Sequence, residues 1–101
     1  MDGTVGMTDQ GGDIALPERL DIAAAATLRK VLLGCDGDIV LDARNVRLLT
    51  TPCLQVLMAG RDRQRTLGRG LTVANPSPAF SSCATTLGVT LDRLQTPARA
   101  A

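Results

Sequence analysis

The sequence predicts one α/β domain, built from a small mixed β-sheet with helices packed against it. Two observations carry this prediction. Short apolar runs at residues 38–42 and 71–74 alternate with longer segments whose apolar residues follow helical spacing. Strands that alternate with helices are typical of crossover connections and of a largely parallel sheet. A chain of 101 residues also has the length of a single domain.

The ends of the chain differ from its middle in composition. Residues 1–12 are rich in Gly, Thr and Asp and show no apolar period, so we expect a disordered leader. The domain is predicted over residues 13–95, and residues 96–101 are expected to be a tail. The domain begins with a short strand that is broken by Pro17, because proline suits an edge or a bend and not a central strand.

A first helix is predicted over residues 22–33. Asp21 precedes it as a good N-cap, and Gly34 follows it as a helix-ending glycine. The strand at residues 38–42 has a continuous apolar centre, which indicates burial on both faces or a central position in the sheet. The core stripe of the helix is expected from four residues at helical spacing: Ala25, Leu28, Val31 and Leu32.

The second helix, predicted over residues 52–66, has an unusual start. Thr51 stands at the expected N-cap and Pro52 at the first helical position, where its missing N–H costs nothing. A hydroxyl at the positive end of a helix is a natural seat for a phosphate. The first two turns are apolar except for Gln55. Either neighbouring elements cover both sides, or part of this surface is reserved for a partner.

The same pattern returns after the strand at residues 71–74. Ser77 is predicted to be the N-cap of a third helix, which begins at Pro78 and runs to about residue 87. Residues 89–94 are expected to form a short last strand or a return onto the sheet.

The composition argues against several classes of function. With 11 Lys and Arg against 10 Asp and Glu, the net charge of +1 argues against charge-driven binding of nucleic acid or a membrane surface. Phe80 is the single aromatic residue, so stacking on bases is not available. There is no His, the commonest general base and metal ligand, and we expect neither a metal nor a cofactor. No apolar run approaches the length of a membrane span, so no direct membrane insertion is expected.

The three cysteines favour reduced thiols in a cytoplasm, because their number is odd, their spacing is wide and no secretory segment is apparent. Cys53 lies at a helix N-terminus, which can lower the pKa of a thiol. Since no His is present as a base, a small core residue is the better interpretation of Cys53. The hypothesis that Thr51 is a catalytic nucleophile is rejected for the same reason, the lack of a base.

One stretch resembles the signature loop of STAS domains (sulfate transporter and anti-sigma factor antagonist domains), whose usual form is apolar-Asp-Ser-Ser-Gly-Leu-x-x-Leu. The matching residues are Leu49-Thr50-Thr51-Pro52-Cys53-Leu54-Gln55-Val56-Leu57. Further pieces match in order, at Leu20-Asp21, Ile39-Val40-Leu41-Asp42 and Leu71-Thr72-Val73-Ala74-Asn75-Pro76-Ser77. The resemblance extends over residues 13–94 and implies the STAS fold and a non-enzymatic role in signalling.

The resemblance also gives Thr51 a role. In STAS antagonists a partner kinase phosphorylates the first Ser of the signature, and Thr51 occupies that position. Phosphorylation would add about two negative charges, enough to expel an acidic or apolar partner. The alternative is that Thr51 is only a helix cap. Three departures weigh against the switch, because Thr50 replaces the usual Asp, Pro52 the second Ser and Cys53 the Gly.

We expect the partner-binding surface at the start of the second helix. The residues proposed for it are Thr50, Thr51, Pro52, Cys53, Gln55, Val56 and Ser77. Because the strands are roughly parallel, Thr51 and Ser77 should lie at one end of the sheet, with Asp42 and Asp21 near that end. For Ser77 the alternative is that it is only a helix cap. For Asp21 and Asp42, the roles of cap and turn residue suffice to explain their presence without acid–base chemistry.

The function implied by the resemblance is that of a cytoplasmic, bacterial-type anti-sigma factor antagonist, whose partner is a serine kinase/anti-sigma factor. The alternatives are a STAS adaptor in a chemotaxis-type histidine-kinase pathway and the cytoplasmic accessory subunit of a lipid-transport ABC complex. A Thr- or Cys-dependent hydrolase is the enzymatic alternative, and the missing His disfavours it. A weak homodimer is left open as the oligomeric state.

Overall fold

A computed structural model describes the backbone of residues 8–10 and the whole of residues 13–96. Its strands are β1 (Thr8–Gln10), β2 (Asp13–Ala15), β3 (Arg19–Leu20), β4 (Ile39–Asp42), β5 (Leu48–Leu49) and β6 (Leu71–Ala74). Its helices are α1 (Ile22–Leu33), α2 (Thr51–Thr66) and α3 (Pro78–Thr86), followed by a 3₁₀ turn at Leu91–Leu94.

The strands form two small sheets. The larger sheet has the order β1-β2-β4-β6, in which β1 is antiparallel to β2 and the other pairs are parallel. The smaller sheet consists of the parallel strands β3 and β5. The predicted single α/β domain with a small mixed sheet and packed helices is therefore confirmed. The short strand β5, immediately before α2, is absent from the prediction.

One face of the larger sheet carries the core. Ile14, Leu41 and Val73 are paired across β2, β4 and β6, and all three are buried. On the opposite face Val40 is half-buried and its partner Thr72 is exposed. Of the two alternatives predicted for residues 38–42, the central position is confirmed, because β4 lies between β2 and β6, and burial on both faces is not observed. The apolar run is typical of a central strand, but the described residues cover only one face.

Helix α1 has the predicted bounds and the predicted cap. Asp21 accepts a hydrogen bond from the Ala24 N–H through its side chain at 3.1 Å. The buried stripe is Ala24, Leu28 and Leu32, whereas the predicted core residues Ala25 and Val31 are only half-buried. Gly34 ends the helix in a right-handed conformation (φ −83°).

Of the two alternatives predicted for residues 89–94, the structure shows a return onto the sheet and not a strand. Residues 89–94 form no strand, because Leu91–Leu94 turns as a 3₁₀ helix that buries Leu94 completely. Sheet pairing comes one step later, where Leu71 and Thr96 exchange two backbone hydrogen bonds of 2.8 and 2.9 Å. Thr96, predicted in the tail, is therefore part of the folded domain.

The predicted leader over residues 1–12 also needs correction. Thr8–Gln10 form β1, which pairs with β2 from Thr8 opposite Ala15 to Gln10 opposite Asp13. Pairing satisfies the backbone groups of β2, which would otherwise be an unpaired sheet edge. Residues 1–7 and 11–12 of that leader, and residues 97–101 of the predicted tail, lie outside the described residues.

Candidate functional site

The start of α2 is built one residue earlier than the sequence predicted. Thr50, with an extended backbone (φ −110°, ψ 165°), is the N-cap, and Thr51 is already the first helical residue. The prediction of Thr51 as N-cap is therefore wrong. Its physical reason lies in β3, because the N–H and the hydroxyl of Thr50 both donate to the carbonyl of Leu20, at 3.1 and 2.6 Å. This holds Thr50 in the extended conformation.

The Thr50 hydroxyl is thus directed across to β3, and α2 has no side-chain cap. Cys53 adds a second link, because its thiol donates to the carbonyl of Asp21 at 3.1 Å. Both links tie the first turn of α2 to the segment that leads into α1. The start of α2 is therefore held in place by inward-facing side chains.

Cys53 is a core residue, as the sequence indicated. Its side chain is fully buried, and this burial raises the pKa of the Cys53 thiol. The Thr50 hydroxyl opposes the increase, and the negative charge of Asp21 adds to it. A protonated, buried thiol is neither a nucleophile nor a surface for a partner. The structure therefore removes Cys53 from the residues that a partner can touch.

The outward side of the same turns has a different character. Thr51 and Gln55 are exposed, and Pro52 and Val56 are half-buried. We call these four residues the α2 entry surface. Ile22, the first residue of α1, is 77% exposed and directly follows Asp21, whose carbonyl accepts from Cys53. Ile22 lies off the buried stripe of α1, and its exposure was not predicted from the sequence.

Ser77 behaves as its cap interpretation predicts. Its hydroxyl oxygen accepts from the Phe80 N–H at 3.0 Å and donates to the carbonyl of Val46 at 2.6 Å. Its own N–H donates to the carbonyl of Ala43, directly after β4. The structure thus joins Ser77 to the end of β4, and it joins Asp21 to the start of α2. These are two separate sets of contacts.

Asp42, at the end of β4, is held by its neighbour. The N–H and the Nε of Arg44 each donate to one carboxylate oxygen of Asp42 at 3.1 Å. The Arg44 N–H is the largest cause of a pKa for Asp42 below its ordinary value; burial opposes it, while the Arg44 guanidinium and the Asn75 side chain lower the pKa further. Asp42 is a turn residue in its contacts, as the sequence indicated.

A groove of about 440 Å³ runs between α1 and α2. The helices approach closely because α2 has Gly60, where a Cβ atom would lie 2.9 Å from Leu32 Cδ1. The groove walls are mostly apolar, with Ala25 and Leu33 from α1 and Val56 and Ala59 from α2. Pro52, Gln55 and Val56 line the groove and also belong to the α2 entry surface, so the two features are continuous.

Residues 8–10 and 13–96 contain no group of three or more Cys, Asp or Glu arranged to hold a metal ion. Nor do they contain a helix with the length and apolar character needed to cross a membrane.

The order of elements, the helix that begins at a Thr-rich turn after a short strand, and the pairing of β3 with β5 define a small α/β domain. The family model described as "Mlab, STAS domain" matches residues 4–95, which is most of the chain. The chain therefore belongs to the STAS domain family, whose members are generally non-enzymatic and commonly mediate protein–protein interactions. No curated protein matches the sequence.

Proposed function

We propose that this chain is a non-enzymatic signalling adaptor of the anti-sigma factor antagonist type. It binds a regulatory protein, a serine kinase/anti-sigma factor, through the α2 entry surface, and phosphorylation of Thr51 switches that binding. The observation that carries this proposal is the exposure of Thr51 at the first position of a helix without a side-chain cap. Its neighbours Thr50 and Cys53 are turned inward, which leaves the Thr51 hydroxyl as the accessible group of the signature.

The helix N-terminus favours a phosphate on Thr51. The free N–H groups of the first turn and the helix dipole both stabilise negative charge at this position. Described residues in the first turn of α2 include no acidic side chain that would repel a phosphate. The same charge would weaken a contact with an acidic or apolar partner surface, which is the basis of the switch.

A non-enzymatic role is supported by the state of the candidate nucleophiles. The Cys53 thiol is buried with a raised pKa, and the sequence offers no His as a base for Thr51. A turnover assay that compares wild type with Thr51→Ala and Cys53→Ala tests this part. Equal, background-level hydrolysis by all three supports it, and a Thr51- or Cys53-dependent rate contradicts it.

The switch is tested by affinity capture with wild type, Thr51→Ala and Thr51→Glu as baits, followed by identification of the bound proteins. A serine kinase-like protein should bind wild type and Thr51→Ala and be lost with Thr51→Glu. Incubation of the captured kinase with ATP should then phosphorylate wild type at Thr51 and leave Thr51→Ala unmodified.

Thr90→Glu is the matched control. Thr90 is also exposed, and it precedes the 3₁₀ turn without making a side-chain cap. This variant carries the same added charge and should capture the kinase as wild type does. Equal capture by Thr51→Glu and wild type would refute the switch.

The second candidate is a constitutive adaptor, in which Thr51 is only part of the contact surface. It is favoured by the description of the matching family model, which names Mlab and not an anti-sigma antagonist. The three departures in the signature, at Thr50, Pro52 and Cys53, support it as well. Under this candidate a transport ATPase or a chemotaxis-type signalling protein is captured, and Thr51→Glu makes no difference.

A further inference from the structure

The groove between α1 and α2 is a feature of the described surface that the signature does not explain. Its lining on α2 runs from Pro52 to Gln64, a distance of about 18 Å along the helix axis. Its lining combines exposed residues, notably Ala59 and Leu33, with buried ones, so it is an elongated groove that is open to solvent on one side. This shape suits a rod laid along it better than a small molecule enclosed within it.

The charges of the groove have one sign. Arg29 of α1 and Arg63 of α2 belong to its lining, and no Asp or Glu does. Neither arginine forms a hydrogen bond or an ion pair with the residues that the structure describes, whereas Arg44 and Arg61 are each paired with an Asp. An apolar floor flanked by unpaired cations is complementary to an apolar stripe flanked by carboxylates.

We propose that this groove binds an acidic amphipathic helix of the regulatory partner. The helix lays its apolar stripe on Ala25, Val56 and Ala59 and places carboxylates near Arg29 and Arg63. This inference rests on the proposed function, and it specifies the chemistry of the partner. It also agrees with the direction of the switch, because Thr51 directly precedes Pro52, which lines one end of the groove, and a phosphate on Thr51 would repel an acidic helix.

A second copy of this chain is a poorer occupant. Two-fold symmetry would bring the same patch from both copies together, and it would place the arginines of one groove against those of the other. Like charges in contact oppose such a dimer. A partner of opposite charge meets no such repulsion.

The test uses three peptides of about 18 residues, enough to follow the groove as a helix. The first has Leu on one helical face and Glu on both flanks; the second has Lys in place of each Glu; the third has the composition of the first with its Leu residues scattered. Amide NMR spectra of the full chain are recorded during each titration, up to about 1 mM peptide, where weak binding is detectable. The first peptide should shift the groove amides and bind at least about tenfold more tightly than the other two.

Charge variants measure the role of the arginines. Arg29→Ala and Arg63→Ala should each weaken binding of the first peptide by about three- to tenfold. Arg65→Ala is the matched control, since Arg65 is an exposed arginine of α2 that does not line the groove. It should bind as wild type does.

A blocking variant measures the role of the groove itself. Ala59→Glu adds a carboxylate to the channel at an exposed helical position, where Glu is a good helix former. It should abolish peptide binding. Ala26→Glu makes the same change at an exposed α1 position outside the groove and should bind normally.

Four results overturn the inference. They are unshifted groove amides with the first peptide, equal binding of the Lys peptide, tighter binding of dodecyl phosphate than of any peptide, and self-association in sedimentation that Ala59→Glu abolishes. The last two assign the groove to a small amphiphile or to a second copy.

If the peptides fail but capture still depends on Thr51, the groove inference falls and the proposed function stands. If peptides bind the groove but Thr51→Glu captures the same proteins as wild type, the switch falls instead.

Discussion

The chain contains two helix starts of the form hydroxyl residue followed by proline, Thr51-Pro52 and Ser77-Pro78, and they are built differently. Ser77 closes its helix, because its oxygen accepts from the Phe80 N–H while its hydroxyl donates to Val46. At α2 the residue before Thr51 takes the N-cap position, and its hydroxyl is bound to β3. A side chain therefore accepts a hydrogen bond from the first turn of α3, whereas no side chain caps the first turn of α2. We call the start of α3 closed and the start of α2 open.

The difference shows that a carbonyl from a distant strand can determine which residue becomes the N-cap of a helix. Both sequences favour a cap, but only at α2 does a parallel neighbour, β3, offer its last carbonyl to the residue one step earlier. Thr50 takes that carbonyl with two donors. The open helix start is thus a consequence of the small second sheet formed by β3 and β5.

The largest stability effect is expected at the closed helix start. Ser77→Ala removes the cap, worth about 1 kcal/mol, and the hydrogen bond to Val46, worth about 1 kcal/mol. Urea unfolding should therefore show a loss of about 2 kcal/mol. Thr51→Ala removes an exposed hydroxyl that caps nothing and should change stability by less than about 0.5 kcal/mol.

Thr51→Ala is the matched comparison, because both changes replace a hydroxyl residue before a proline. Equal losses from the two substitutions would contradict the difference between the helix starts. A loss at Thr51 alone would restore the original prediction that Thr51 is the cap.

A smaller effect is expected from the link between α2 and β3. Thr50→Val keeps the shape of the side chain and removes the 2.6 Å hydrogen bond to Leu20. The expected cost is about 1 kcal/mol, since the Leu20 carbonyl keeps its bond from the Thr50 N–H. The measurement is again urea unfolding, with amide hydrogen exchange in the first turn of α2 as a local readout.

Thr50→Ser provides the control, because it keeps the hydroxyl and loses only a methyl group. Faster exchange in Thr50→Val but not in Thr50→Ser would confirm that the hydroxyl anchors the helix. Unchanged exchange in both variants would mean that the hydrogen bonds from the Thr50 N–H and the Cys53 thiol are enough to hold the first turn of α2 in place.

The sequence predicted the helices well because their determinants are local. The α1 bounds follow from Asp21 and the apolar spacing, and the α3 start follows from Ser77 and Pro78. The apolar run Ile39–Val40–Leu41 likewise marks a strand. The packing of helices that are distant in sequence determines which faces of that strand are covered. The residues of the strand itself therefore do not predict it.

The missed features are those that depend on pairing. β1, β5 and the bridge at Thr96 are each three residues or fewer, too short to show a period, and they exist because another strand lies beside them. At the candidate site, the predicted residues Pro52, Gln55 and Val56 line the groove between α1 and α2, and Thr51 is exposed directly before them. Their contact with a partner stays a prediction. The groove and the exposed Ile22 required the relative placement of two helices, which spacing alone does not give.

The smallest effect is expected at Asp42, which belongs to the closed region around Ser77. Contacts with Arg44 lower its folded-state pKa, so the ionised carboxylate stabilises the folded chain. This contribution is complete well above the unfolded carboxyl pKa of about 4 and disappears as pH falls through the lower folded value. Asp42→Asn should therefore cost at most about 1 kcal/mol at neutral pH, because the pair with Arg44 is partly exposed. The difference from wild type in urea unfolding should shrink as pH falls below about 5. A difference that persists undiminished at pH values below the folded pKa would assign the loss to the altered hydrogen bonds of the turn and not to the charge.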